Sequence, residues 1–134
     1  MQRLAIIFLS AVSLLLSIST VCSASKEKAV VEMASILLQL NHRPSDNDKA
    51  TLKALMHNNG VSNDTKIVIQ AIINMNHSTS DADKLRLQAV INDKQVAQDI
   101  RTLATIVSSM NHKPNAVDRT ILTKLQDTTF VSDK

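Results

Sequence analysis

Asn41-His42-Arg43-Pro44-Ser45-Asp46-Asn47-Asp48 returns as Asn76-His77-Ser78-Thr79-Ser80-Asp81-Ala82-Asp83, and again as Asn111-His112-Lys113-Pro114-Asn115-Ala116-Val117-Asp118. The offset is 35 residues both times, and residues 29–63, 64–98 and 99–133 align around these stretches without a gap. Five columns are identical in all three copies: the Asn, the His, Asp48/Asp83/Asp118, Leu52/Leu87/Leu122 and Val61/Val96/Val131. Self-similarity at a fixed period marks a repeat architecture, in which a unit buries its apolar face only against its neighbours.

Each unit reads as two helices. The first carries apolar residues at helical spacing: Met33, Ile36, Leu37 and Leu40, then Val68, Ala71, Ile72 and Met75, then Leu103, Ile106, Val107 and Met110. It is expected to stop at the Asn-His pair, with Asn in the left-handed conformation that closes a helix and Pro44 and Pro114 forbidding continuation. The second helix opens at Ser45, Ser80 or Asn115, each an oxygen-bearing N-cap with an aspartate three residues on. That pattern is a capping-box variant. Leu52 and Leu55, Leu87 and Val90, and Leu122 and Leu125 then face inward. The expected fold is all-α: three tandem 35-residue helical-hairpin repeats, six short helices in all, stacked as a small α-solenoid or bundle. The unit length is near that of tetratricopeptide-type repeats, but their Trp, Gly, Tyr and Pro positions are not met.

Composition agrees with this reading. One Gly, two Phe, no Tyr and no Trp leave neither turn glycines for a β-rich fold nor aromatic platforms for bases and sugars. Nucleic acid is therefore not an expected partner. Met1-Gln2-Arg3 followed by the apolar run Leu4–Leu16 and the small residues of Val21-Cys22-Ser23-Ala24 has the form of a signal peptide, with cleavage before Ser25. A retained anchor over Leu4–Cys22 and lipid modification at Cys22 are the rival readings; the serines and the unsuitable Val21 speak against them. The expected organisation is a cleaved leader over 1–24 and one helical-repeat domain over 25–134, exported to a periplasm or secreted and not inserted in a membrane after cleavage. With Cys22 removed, the domain has no thiol and no disulfide.

The recurrent loops hold the candidate site: Asn41, His42 and Asp48; Asn76, His77 and Asp83; Asn111, His112 and Asp118. In an open stack, equivalent positions would lie on the order of 10 Å apart, too far for three imidazoles to share an ion bound at about 2.0–2.1 Å. On that premise each His caps the end of its own first helix, or bonds the aspartate across the loop, and no metal or cofactor is expected. The chain carries no HExxH, Gly-rich phosphate loop or Ser-His-Asp arrangement, so no catalytic residue is assigned and the protein is not expected to be an enzyme. The expected role is a non-catalytic module that binds a protein or peptide through one face of the stack. The alternative is an envelope binder of a small ligand or metal ion, using the three Asn-His loops.

Overall fold

A computed structural model describes residues 19–127 of the chain; the greater part of the leader, and Val131 of the last repeat column, lie outside the described residues. Six helices follow in order: α1 (Ser19–Gln39), α2 (Asp46–Met56), α3 (Asn63–Asn74), α4 (Asp81–Asn92), α5 (Gln98–Ser109) and α6 (Ala116–Asp127). The odd-numbered helices are the first helices of the three repeats and the even-numbered ones the second. The expected cleavage point between Ala24 and Ser25 falls within α1. Among the described residues no helix is long and apolar enough to cross a membrane.

The stack is closed on itself. Helices α1, α3 and α5 pack against one another in all three pairings, while α2 sits against α1 and α3, α4 against α3 and α5, and α6 against α5 and α1. The first and last repeats therefore touch, and every repeat has a neighbour on each side. The sequence explains the closure. The first helices bury the columns Val30/Thr65/Ile100, Met33/Val68/Leu103, Ala34/Ile69/Ala104, Ile36/Ala71/Ile106 and Leu37/Ile72/Val107. An apolar face that broad cannot be covered by one partner helix, and three such faces cover one another only by meeting around a common axis. The second helices bury narrow stripes, chiefly Leu52/Leu55, Leu87/Val90 and Leu122/Leu125, and so take the outer positions.

Helix starts follow the recurrent capping pattern. Ser45 accepts from the Asp48 backbone N–H at 3.1 Å and Asp48 Oδ2 accepts from the Ser45 N–H at 2.9 Å, a reciprocal capping box. In α4, Ser80 accepts from the Asp83 N–H at 3.2 Å; in α6, Asn115 Oδ1 accepts from the Asp118 N–H at 2.9 Å. Asp83 is buried and also accepts from Ser80 Oγ at 2.8 Å and from Asn74 Nδ2 at 3.2 Å, which ties α4 to the end of α3. Asp83→Ala should therefore lower stability by about 2 kcal/mol in a urea melt, because the cap and the tie to Asn74 lose their buried acceptor. Asp81→Ala, at an exposed carboxylate whose ion-pair partner among the described residues is Lys84, should stay within about 0.5 kcal/mol. Equal losses would refute this account of the cap.

Candidate metal centre

All three Asn-His loops arrive at one place. The first helices end at Gln39, Asn74 and Ser109, and Leu40, Met75 and Met110 then pin the exits into the core. Behind the histidines the chain is pinned again by buried Pro44, Thr79 and Pro114. The Thr79 hydroxyl donates to the Val107 carbonyl of the next repeat, which fixes the second loop to the last turn of α5. Each histidine is thus held between two buried anchors while itself exposed.

The backbone closes a ring through the histidines themselves. His42 N–H donates to the His112 carbonyl at 2.8 Å, His77 N–H to the His42 carbonyl at 2.7 Å, and His112 N–H to the His77 carbonyl at 2.5 Å. This collar uses the backbone of the same residue from each repeat, so it forms only when the three units complete the circle.

Each histidine also takes a left-handed backbone, with φ of 71° at His42, 66° at His77 and 64° at His112. The Arg43 N–H donates to the Asn41 carbonyl at 2.9 Å, and the Lys113 N–H to the Asn111 carbonyl at 2.7 Å. These are three-residue turns with a side-chain-bearing residue at the strained central position. A non-glycine residue so held costs of order 1–3 kcal/mol, and such strain collects at functional sites. The expectation that Asn would take the left-handed position is corrected: His takes it, because its N–H must turn to the neighbouring repeat rather than back to its own helix. A backbone test follows. Neither His77→Gly nor His77→Ala keeps the ring, yet the glycine variant should be the more stable by about 1 kcal/mol on thermal unfolding. An alanine variant equal to or better than glycine would refute the strain.

The side chains converge with the backbone. Ring centroids lie 5.1 Å apart for His42–His77 and His42–His112, and 5.2 Å apart for His77–His112, each pair edge to face. One nitrogen from each ring lies within 4.8 Å of the others. The premise of an open stack with loops far apart is thereby overturned. Closure brings the three copies to the axis, where a point near the axis is near all of them. A tetrahedral ion at about 2.0–2.1 Å from each nitrogen needs nitrogens about 3.4 Å apart. Exposed rings reach that by closing each pair by no more than about 1.4 Å, through side-chain rotation at the collar.

The hydrogen bonds of two rings suit ligation. His42 Nδ1 lies 2.7 Å from Asn41 Oδ1, and His112 Nδ1 lies 2.5 Å from Asn111 Oδ1. An amide oxygen only accepts, so in the neutral rings of His42 and His112 Nδ1 carries the proton and Nε2 keeps its lone pair. A polar partner on the other nitrogen fixes tautomer and ring orientation, as around metal-bound histidines generally. Three helix C-termini lead into the triad, and their partial negative charge favours a cation there.

The aspartates grouped with this site are placed elsewhere. Asp48, Asp83 and Asp118 cap the second helices, and among the described residues none bonds a histidine. Asn76 lies beside His77 and bridges to Ser78, and Ser78 bridges to Asn111 of the next loop. Two features were missed in the sequence: the role of Asn41 and Asn111 as partners of Nδ1, and the collar. The adjacency Asn-His, repeated three times, was the available signal for the first. No protein-family model, curated protein or solved structure matches the chain, so the geometry stands on its own.

Proposed function

We propose that this protein is exported and binds a divalent transition-metal ion through His42, His77 and His112. One observation carries the reading: three imidazoles, one from each repeat, face one small volume with their nitrogens within 4.8 Å. Three nitrogen donors around a threefold axis suit a tetrahedral ion of the zinc type, with three protein ligands and an open fourth position. Square-planar preferences fit such an axis less well. The apolar stretch Leu4–Leu16 and the small residues up to Ala24 support export.

The protein- or peptide-binding reading draws on less. Among the described residues the exposed large apolar side chains are Leu85 and Val117, one on α4 and one on α6. Scattered exposed apolar residues do not make an interface. The role proposed is ion binding.

Titration calorimetry of metal-free protein with zinc should give one ion per chain at micromolar affinity or tighter. The heat should vanish when all three histidines are replaced by alanine. Zinc binding retained by that triple variant, or absent from the natural sequence, would refute the reading.

A further inference from the structure

Resting on that reading, we propose that the ion held by the triad keeps its fourth coordination position for a carboxylate, which Arg43 and Lys113 help to hold. Three neutral imidazoles bring no negative charge to a divalent ion. Among the described residues, the group able to hold the ion contains His42, His77 and His112 and no carboxylate. A tetrahedral ion therefore lacks one donor and retains its full positive charge.

The surroundings indicate what fills the gap. All three histidines are exposed, so the fourth position faces water and whatever arrives from it. In the loops 41–45, 76–80 and 111–115 the charged residues are Arg43 and Lys113, each directly following a ligand histidine and exposed. Neither forms an ion pair among the described residues, where the pairs are Lys84–Asp81 and Arg86–Asp83. A carboxylate offers two oxygens on one carbon. One can ligate the ion while the other accepts from the Arg43 guanidinium or the Lys113 ammonium, a charge-assisted bond at the rim. A halide can ligate the ion but cannot make that second bond. The carboxylate can belong to a small free acid or to an acidic side chain of a peptide, and the chemistry at the ion is the same.

The full chain loaded with cobalt(II) in place of zinc reports on the site, because four-coordinate cobalt has intense visible bands that change with the fourth ligand. Acetate should shift these bands saturably, and chloride at the same concentration should shift them less. Replacing Arg43 and Lys113 together by alanine should weaken the acetate effect about three- to tenfold while leaving the bands without acetate in place. A short glutamate-rich peptide binding more tightly than acetate would assign the carboxylate to a peptide, and acetate binding as tightly would assign it to a free acid. Bands that ignore acetate, or that respond equally to chloride or in the double variant, would overturn the proposal while leaving ion binding intact. Cobalt bands that fail to form, or that persist with all three histidines replaced, would instead bring down the metal reading itself and this inference with it.

Discussion

Replacing any one of His42, His77 and His112 by alanine should weaken zinc binding by about a hundredfold or more. The three ligands come from three repeats but are fixed on one axis, so each of the second and third bonds forms at a high effective concentration. Loss of one ligand leaves two nitrogens and an exposed ion, and further substitutions then have little left to remove. The signature is strong non-additivity, where independent sites would add within about 0.3–0.5 kcal/mol. Asn41→Ala and Asn111→Ala should act through ring orientation and weaken binding by about 10- to 100-fold without removing a ligand. Thermal melts give a second readout. Zinc at a hundred times its dissociation constant should raise stability by about 2.7 kcal/mol, and a chelator should reverse this only where the triad is whole. Losses that are additive over the three histidines and indifferent to the chelator would mean that the rings only pack against one another.

Leu87→Ala should remove about 2–5 kcal/mol of unfolding free energy, the usual loss when a fully buried leucine leaves a cavity. Leu87 lies on the inward stripe of α4, which packs against α3 and α5. Leu85 stands two positions earlier on the same helix and is 76% exposed, so Leu85→Ala should change stability by no more than about 0.5 kcal/mol. The pair is sensitive because residues two apart on a helix face different directions. A loss at Leu85 as large as that at Leu87 would show α4 to be rotated from the orientation described.

The sequence by itself determined the helices and their caps. Spacing of apolar residues is a local property, and Met33, Val68 and Leu103 with their companions at helical intervals lie buried as that spacing requires. Ser45 with Asp48, Ser80 with Asp83 and Asn115 with Asp118 each act over three residues, so capping was legible as well. The 35-residue period likewise sets three equivalent units, and α2, α4 and α6 start one residue after their caps.

Only the tertiary structure decided that the units form a circle. Repetition specifies that neighbours are related alike but not the rotation between them, and a modest rotation gives an open solenoid where a third of a turn gives closure. That rotation comes from the breadth of the apolar faces of α1, α3 and α5 packed together, a three-body property invisible in any one repeat. The site depends on it entirely. Asn-His at three positions reads as three separate helix ends while the repeats are imagined in line. On the axis the same residues become a collar of backbone bonds and a triad of rings 5.1–5.2 Å apart. The histidine type and copy number were in the sequence; their convergence comes from the angle at which one hairpin packs on the next.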